Sequence, residues 1–269
     1  MFAAVDIGGT KTLVAVFDAH GKVGERHKFP TAKIYEDFIT DLAKAVDKLS
    51  TKEFLKVVAA VPGIVNRHKS IGVVFGNLPW ENVTIGKDLE RIFNAPVMIE
   101  NDAKLAGLSE ALLLKKSYRK VLYITISTGI GSGFITDGKI DPDFENAEAG
   151  HMLLEYKDRL ERWEDFASGS AIVEMFGKKA SQITDPQQWY VIARNIAIGL
   201  INLIAVLTPE VIIIGGGVGA HFDKFADKLN EELKLYENPM LHLPVVLKAT
   251  RAEEAVIYGC YEYAKQHTA

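Results

Sequence analysis

Two glycine-rich turns between apolar segments carry residue types that bind phosphate groups. The first runs from Asp6 to Lys11 and reads Asp-Ile-Gly-Gly-Thr-Lys. Gly8 and Gly9 let the backbone turn tightly and bring N–H groups close to an anion, and the Thr10 hydroxyl adds a donor. Asp6, at the end of an apolar segment, could hold a metal ion or its water. A plain hairpin turn would need only the glycines, so the flanking acid and hydroxyl favour phosphate binding.

The second turn runs from Ser127 to Gly133 and reads Ser-Thr-Gly-Ile-Gly-Ser-Gly. It lacks Gly-Lys-Ser/Thr and is therefore not a Walker loop. It is not a dinucleotide-binding fingerprint either, because a strand rather than a helix is predicted to follow it. Paired with the first turn, it is typical of a two-sided phosphate clamp.

A third glycine run, from Gly215 to Gly219, ends an apolar strand before a predicted helix. Bare glycine allows a flat ligand or a helix N-terminus to approach closely. Tight packing of the strand on the helix would explain the same pattern, so the run leaves both interpretations open.

The candidate acid–base residue is Asp102, in the sequence Glu100-Asn101-Asp102 at the end of a predicted strand. An Asp at this position suits a helix N-cap. It also suits a general base, since a carboxylate typically takes the proton of the attacking hydroxyl in phosphoryl transfer.

Glu148, His151 and Glu164 form a second polar set. A carboxylate can accept hydrogen bonds from two vicinal sugar hydroxyls, and an imidazole can give or take one. Scattered glutamates are more often surface residues. A metal role for His151 has little support, because no cysteine lies nearby and no second histidine has ligand spacing.

Predicted strands and helices alternate along the chain, which indicates an α/β protein. Three strands over 2–7, 12–17 and 22–29 suggest an antiparallel meander, and apolar residues from Tyr35 to Leu49 have the spacing of a helix. A second cycle of strand, glycine turn and strand begins at Lys120, which suggests two similar lobes. Further strands are predicted over 54–61, 96–100, 121–127, 132–136, 210–214 and 244–247, and further helices over 102–114, 187–207, 221–235 and 253–265.

Composition excludes several classes of protein. The 269 residues are 48% hydrophobic with a formal net charge of -4, so the chain lacks the electrostatic footprint of a nucleic-acid binder. The one cysteine, Cys260, reads as a small buried hydrophobe, and a single thiol favours a reducing compartment. No signal peptide is visible, and the apolar region from Asn195 to Leu207 is shorter than the roughly 20 residues of a membrane span. We expect a cytoplasmic protein without nucleic-acid or membrane partners.

Taken together, these motifs resemble the ROK family (repressors, open reading frames and kinases) of the actin-like ATPase superfamily. The resemblance runs nearly end to end, and the ordered set of motifs is specific. Besides the motifs above, it rests on Val-Pro-Gly at 61–63, Gly-Asn-Leu-Pro-Trp at 76–80, Glu-Ala-Gly-His at 148–151 and Glu-Asp-Phe-Ala-Ser-Gly at 164–169.

The resemblance implies a sugar kinase that transfers a phosphoryl group from ATP, with Mg²⁺, to the primary hydroxyl of a hexose. It implies two actin-like (ribonuclease H-like) lobes with a central cleft, a small one formed by 1–116 plus 252–269 and a large one formed by 117–251. A homodimer is expected only because the family often forms dimers. The implied roles are catalytic base for Asp102; sugar contact for Gly63, Asn77, Asn101, Glu148, His151 and Glu164; phosphate, magnesium or nucleotide contact for Asp6, Gly8, Gly9, Thr10, Lys11, Thr128, Gly129, Gly215, Gly216 and Gly217.

One segment departs from the family pattern. Many members follow the Gly-His motif with cysteines that hold a structural zinc, but no cysteine lies between His151 and Glu164 here. We therefore predict no zinc. Apolar packing of Leu160 and Trp163 is expected to supply the local order that zinc gives elsewhere.

Several alternatives stay open. The acceptor could be glucose or another sugar, namely fructose, mannose, allose, N-acetylglucosamine or N-acetylmannosamine. Some zinc-less relatives use polyphosphate, but the strongly basic channel that would indicate this donor is not visible, so ATP is favoured. A non-catalytic sugar sensor is disfavoured by the intact Asp102 and phosphate turns. The family's repressors carry a DNA-binding segment ahead of the first glycine turn, for which Asp6 leaves no room.

Overall fold

The two glycine turns lie in two units, each built on its own mixed sheet. The computed structural model describes residues 1–114, 116–251 and 254–268. One unit comprises Met1–Ser109 with Glu254–Ala269, and the other comprises Glu110–Glu253. The lobe boundaries expected at 116/117 and 251/252 remain predictions, and positions 252 and 253 lie outside the described residues.

The first unit carries a five-stranded sheet, a three-stranded sheet and four helices among its described residues. In the larger sheet the order is β3-β2-β1-β4-β8, with β1–β2 and β2–β3 antiparallel and β1–β4 and β4–β8 parallel. The smaller sheet has the order β5-β6-β7. The elements are β1 (Phe2–Ile7), β2 (Lys11–Phe17), β3 (Val23–Pro30), α1 (Tyr35–Asp47), β4 (Lys56–Val61), β5 (Gly63–Asn66), β6 (Ile71–Phe75), β7 (Glu81–Val83), α2 (Ile85–Phe93), β8 (Val97–Asn101), α3 (Asp102–Leu112, whose last residues belong to the second unit) and α9 (Ala255–Gln266).

The second unit repeats the strand arrangement of the first. Its sheet has the order β11-β10-β9-β14-β15, with an antiparallel meander on one side and two parallel pairs on the other. The predicted meander at the N-terminus and the predicted internal repeat are thus both confirmed. The elements are β9 (Lys120–Ile126), β10 (Ile130–Thr136), β11 (Lys139–Ile140), β12 (Leu153–Tyr156), β13 (Arg159–Arg162), α4 (Trp163–Ala167), α5 (Gly169–Phe176), α6 (Pro186–Leu207), β14 (Val211–Gly215), α7 (Gly216–Gly219), α8 (Ala226–Lys234) and β15 (Val245–Lys248).

Helix α6 is the central helix of the second unit. The Asp185 side chain accepts a hydrogen bond from the Gln187 N–H at 2.8 Å, and Pro186 occupies the first helical position, so the N-terminus is capped. With 22 residues, α6 has the length and composition of a membrane span. The prediction that this apolar region is too short to cross a membrane was therefore wrong. A core helix meets the same criterion, and half of its most apolar window is buried in the unit.

Some elements were missed or misjudged from the sequence. The hairpins β5–β6 and β12–β13 have short strands with mixed patterns, which give no clear periodicity. Helix α2 was missed although its apolar residues Ile85, Leu89 and Phe93 recur every four residues and are buried. The helix predicted over 221–235 is shorter, because a 3-10 turn over Phe222–Lys224 precedes α8.

Helix α9 packs against the backbone of α3, the helix that begins at Asp102. A methyl group added to Gly259 would lie 1.9 Å from the Leu105 carbonyl oxygen, so only glycine permits this approach. Cys260, the next residue, is fully buried as predicted. The C-terminal helix therefore fixes the position of α3 within the first unit.

We predict that Gly259→Ala will destabilise the protein by about 3 kcal/mol, because overpacking against rigid backbone forces the two helices apart. Chemical denaturation monitored by circular dichroism measures the change. Gly24→Ala is the matched control, since the nearest atom to its added methyl group would lie 3.8 Å away. Equal midpoints for the two variants would contradict the close approach.

Candidate active site

The first glycine turn and Asp102 lie at the same edge of the first sheet. Strands β1, β4 and β8 are parallel neighbours, and Asp6 pairs with Ala60, which in turn pairs with Glu100. The carboxyl ends of parallel strands face one edge of a sheet, where ligands of open α/β sheets bind. The structure thus brings together the first predicted phosphate turn and the predicted base.

Asp6 and Asp102 influence each other electrostatically. Burial raises the pKa of Asp6 to about 7, with a further contribution from the negative charge of Asp102. The positive charge of Lys28 offsets part of this rise in the pKa of Asp6. Lys28 pairs with Leu13, which pairs with Asp6 in the sheet. Two carboxylates near a phosphate turn form a site that favours a bound cation.

Asn101, and not Asp102, caps helix α3. The Asn101 Oδ1 accepts a hydrogen bond from the Lys104 N–H at 3.2 Å, while its Nδ2 donates to the Gly63 carbonyl at 2.9 Å. The interpretation of Asp102 as the N-cap is therefore wrong. Asp102 is partly exposed at the first position of the helix, and its Oδ1 accepts from the Ala103 N–H at 2.7 Å.

Gly63 lies behind Asn101. Its φ is +147°, and a side chain there would lie 2.1 Å from the Val74 carbonyl oxygen, so the position requires glycine. Because its carbonyl holds the Asn101 amide, Gly63 orients a predicted sugar contact.

A buried ion pair supports the Glu100–Asp102 segment. Glu100 is only 1% exposed, and both of its oxygens accept from the Arg67 guanidinium, through Nε at 2.7 Å and through Nη2. The same carboxylate accepts from the Asn101 N–H at 2.6 Å. Sequence reasoning missed this pair because Arg67 lies 33 residues before Glu100.

Asn77 lies directly against the first glycine turn. A methyl group on Gly9 would come within 2.7 Å of the Asn77 Cβ. Asn77, Thr10 and Lys11 are all exposed. The predicted sugar contact and the predicted phosphate contacts are therefore neighbours within one unit.

In the second unit, the second glycine turn is fastened to the start of α5. The Gly169 N–H donates to the Ser127 carbonyl at 2.6 Å, and the Ser170 N–H donates to the Thr128 carbonyl at 3.3 Å. Thr128 is exposed and Gly129 partly exposed. The turn is thus held through its carbonyls while the Thr128 side chain stays accessible.

Glu164 joins this turn to the second polar set. Its Oε2 accepts from the Ile130 N–H at 3.4 Å, and its Oε1 lies 3.5 Å from the His151 Nε2 and 3.1 Å from the Arg162 Nη1. Glu148 is linked to the same place through its carbonyl, which accepts from the His151 N–H at 3.1 Å. The structure therefore brings the His151 and Glu164 side chains together beside Gly129, and Glu148 lies one 3-10 turn before His151.

Aromatic packing anchors the segment between His151 and Glu164. Trp163 is fully buried, its Nε1 donates to the Asn195 carbonyl at 3.1 Å, and its ring fills the space over Gly199. Tyr156 stacks on Phe166 with ring centroids 4.2 Å apart. The predicted apolar packing of Trp163 is confirmed.

The prediction for Leu160 is wrong. Its side chain is 69% exposed, because it lies on the outward face of the β12–β13 hairpin. Tyr156, on the other strand of that hairpin, makes the packing contact in its place.

The third glycine run lies at the end of β14 and in the short helix α7. Gly216 has a φ of +82°, and a side chain there would lie 2.5 Å from the Ile126 carbonyl oxygen. Gly215 is buried beneath it against the Tyr123 hydroxyl. Gly217, in contrast, has no atom of the described residues within 4 Å of its Cβ position. Packing explains the first two glycines, and open space at the third fits a flat ligand.

The acidic groups fit a magnesium ion that arrives with phosphate. Nowhere in residues 1–114, 116–251 and 254–268 do three or more His, Cys, Asp or Glu side chains form a metal cluster. Mg²⁺ needs no such cage, since it usually binds through one or two carboxylates together with substrate phosphates. Asp6 beside the first turn supplies a carboxylate of this kind.

Comparison with known proteins gives a consistent picture. A sequence profile of the ROK family matches residues 2–267. The glucokinase of Streptomyces coelicolor is 26% identical, over 97% of this chain and 96% of that protein. The crystal structure of an inorganic polyphosphate/ATP-glucomannokinase from Arthrobacter sp. strain KM is 31% identical, with a TM-score of 0.75 over 99% of both chains.

A crystal structure of a ROK family glucokinase from Streptomyces griseus, in complex with glucose and AMPPNP, has a TM-score of 0.81. It covers 98% of this chain and 99% of that chain at 23% identity, so it bears on the fold. The predicted α/β fold is confirmed, and the structure builds it from two mixed sheets of five strands each.

Asp6 generates a prediction about pH. Its pKa in the folded protein, about 7, is higher than the ordinary 3.8, so the unfolded chain releases this proton more readily. Rising pH between about 4 and 7 therefore destabilises the folded protein. The rise in the pKa of Asp6 corresponds to a loss of at most about 4 kcal/mol in the free energy of unfolding, and screening by solvent makes this loss smaller.

We expect Asp6→Asn to raise the melting temperature at pH 8 and to leave it nearly unchanged at pH 4. Differential scanning calorimetry without nucleotide or divalent cation measures both values. Asp41→Asn, at an exposed carboxylate of α1, is the control. A variant that is no more stable than the wild type at pH 8 would contradict the raised pKa.

Proposed function

The chain belongs to the ROK family, and on that premise we propose that it is a sugar kinase that transfers the γ-phosphoryl group of ATP to the primary hydroxyl of a free hexose. The observation that carries the proposal is the position of Asp102. Its carboxylate shares a sheet edge with the first glycine turn, and Asn101 supplies the helix cap. A partly exposed acid beside a phosphate turn, without a capping role, suits a general base.

In the proposed reaction, Asp102 accepts the proton of the sugar hydroxyl as that oxygen attacks the γ-phosphorus. The leaving oxygen stays on ADP, and the proton stays on the Asp102 carboxylate until release. The N–H groups of the first and second turns bind phosphate oxygens and stabilise the charge that develops on them. Mg²⁺, held through Asp6 and the phosphates, would supply further charge neutralisation.

Five side chains are the proposed sugar contacts. Asn77 and Asn101 belong to the first unit, and the cluster of Glu148, His151 and Glu164 belongs to the second. In that cluster, Glu164 lies within 3.5 Å of the imidazole and accepts from a backbone N–H. A carboxylate and an imidazole side by side can bind neighbouring hydroxyl groups of a sugar, and Glu148 is the proposed third contact.

Glucose is the favoured acceptor, because glucose is the sugar in the names of the Streptomyces relatives. Fructose, mannose, allose, N-acetylglucosamine and N-acetylmannosamine are the alternatives. ATP is the favoured donor, and the name of the Arthrobacter relative makes polyphosphate the donor to test beside it. A sugar-binding protein without catalytic activity is the alternative from a different class.

We predict that Asp102→Asn will lower kcat by about 10²- to 10⁴-fold, because an amide cannot take the proton from the attacking hydroxyl. Sugar affinity, measured by calorimetry, should change less than about threefold, since the amide keeps the size and an acceptor oxygen. Asp41→Asn should retain wild-type kcat. Near-normal turnover by Asp102→Asn would show that another group is the base.

The acceptor and donor are tested by a coupled assay across free hexoses and N-acetylhexosamines, with MgATP and then with polyphosphate. We expect turnover with ATP to be highest for glucose. Higher kcat/KM with another sugar would reassign the substrate within the same reaction. Binding of a sugar without turnover, with either donor, would favour the non-catalytic alternative.

A further inference from the structure

Three successive carbonyls of the first glycine turn are held by one short segment of the same unit. The Thr31 Oγ1 donates to the Gly8 carbonyl at 2.8 Å, and the Lys33 Nζ donates to the Gly9 carbonyl at 3.0 Å. The Thr31 N–H donates to the Thr10 carbonyl at 3.0 Å. None of these contacts was visible in the sequence, because Thr31 and Lys33 lie twenty or more residues after the turn.

Holding a carbonyl fixes the direction of the next N–H. In a planar trans peptide, the C=O of one residue and the N–H of the next point in opposite directions. The Gly9 N–H therefore points away from the Thr31 hydroxyl, and the Thr10 N–H points away from the Lys33 ammonium. Neither N–H donates to an acceptor in the described part of the protein.

We propose that Thr31 and Lys33 are positioning residues that turn the N–H groups of Gly9 and Thr10 toward the phosphate oxygens of the donor. Donors fixed in advance stabilise charge on a phosphoryl group without reorganisation during the reaction. This inference rests on the proposed function and identifies what holds its phosphate turn in shape.

The Thr31 hydroxyl is itself fixed by a neighbour. Its one hydrogen goes to the Gly8 carbonyl, so in the 2.9 Å contact with the Thr12 hydroxyl it must be the acceptor. Thr12 is 0% exposed and Thr31 is 6% exposed. A buried chain of hydroxyls whose bonds are all made has one geometry, which makes it a rigid support.

Lys33 connects the phosphate turn to the proposed sugar contact. Its Nζ also donates to the Asn77 carbonyl at 3.0 Å, and its own carbonyl accepts from the Trp80 Nε1 at 2.9 Å. Trp80 is buried in the core of the first unit, so the backbone of Lys33 is anchored. Among the described residues, no carboxylate forms an ion pair with Lys33. Removing its ammonium group should therefore disturb the donor side and the sugar side together.

Thr31→Val and Thr31→Ser test the hydroxyl. Valine keeps the branched shape and removes the hydrogen bond, whereas serine keeps the hydroxyl. We expect Thr31→Val to raise the KM for ATP about tenfold, as the loss of one buried hydrogen bond predicts, and Thr31→Ser to stay within about threefold of the wild type. In calorimetry, Thr31→Val should lower the affinity for ADP about tenfold and leave the affinity for adenosine unchanged, because only the phosphate groups are proposed to contact the turn.

Lys33→Met tests the contacts of the Lys33 ammonium group with the Gly9 and Asn77 carbonyls. Lys44→Met, on the exposed surface of α1, is the charge-matched control. We expect Lys33→Met to raise the KM for both ATP and the sugar several-fold and Lys44→Met to change neither. Lys33→Arg, which keeps the charge, should recover part of the loss.

Two results would overturn the inference. One is an unchanged ADP affinity in both Thr31→Val and Lys33→Met. The other is an equal loss of ADP and adenosine affinity, accompanied by a lower melting temperature, which would show a purely structural role. If the wild-type protein binds ADP but phosphorylates no sugar, the proposed function fails, and the ADP-to-adenosine comparison still decides the role of Thr31 and Lys33.

Discussion

The candidate site depends on the parallel pairing of β1, β4 and β8. Because these strands run in one direction, their polar ends reach the same edge of the sheet, although they are separated by up to about one hundred residues of sequence. The register places Asp6 level with Glu100, and the next two residues after Glu100 are the cap of α3 and the proposed base. A shift of one residue would turn Glu100 away from Arg67 and move Asp102 from its position at the start of the helix.

The supports of the site combine buried polar contacts with apolar packing. In the first unit, Arg67 pairs with Glu100, and the threonine hydroxyls hold the glycine turn. In the second unit, Tyr156 on the β12–β13 hairpin and Trp163 directly after it form an aromatic anchor before Glu164. Asn195 belongs to both kinds of support, since its carbonyl accepts from the Trp163 indole and its amide donates to the Phe166 carbonyl at 2.8 Å. The polar residues proposed to contact ligand are thus held in position by neighbouring groups of their own unit.

Local patterns in the sequence were sufficient for the α/β class, the repeated strand–turn–strand units and most strands of both sheets. Apolar runs bounded by glycine have a strong local signature, and so has the amphipathic face of α1. Contacts between distant segments have no local signature in the sequence, because the fold alone brings their residues together. Examples are the contacts of Arg67 with Glu100, of Thr31 with Gly8 and of Lys33 with Asn77. Asn101 and Asp102 are both good capping residues, and only the direction of the helix axis decides between them. Leu160 was misassigned because, in a two-stranded hairpin, neighbouring residues point to opposite faces and a leucine can lie on either one.

The buried thiol has a practical consequence. Cys260 is the one cysteine of the chain, it is fully buried, and burial together with the nearby Asp6 holds its pKa well above the ordinary value. A protonated thiol without solvent access reacts poorly with maleimides and iodoacetamides. Cysteines introduced on the surface can therefore be labelled selectively in the otherwise unaltered chain. With one fluorophore on each unit, energy transfer would follow how the units respond to nucleotide and to sugar in solution, one molecule at a time.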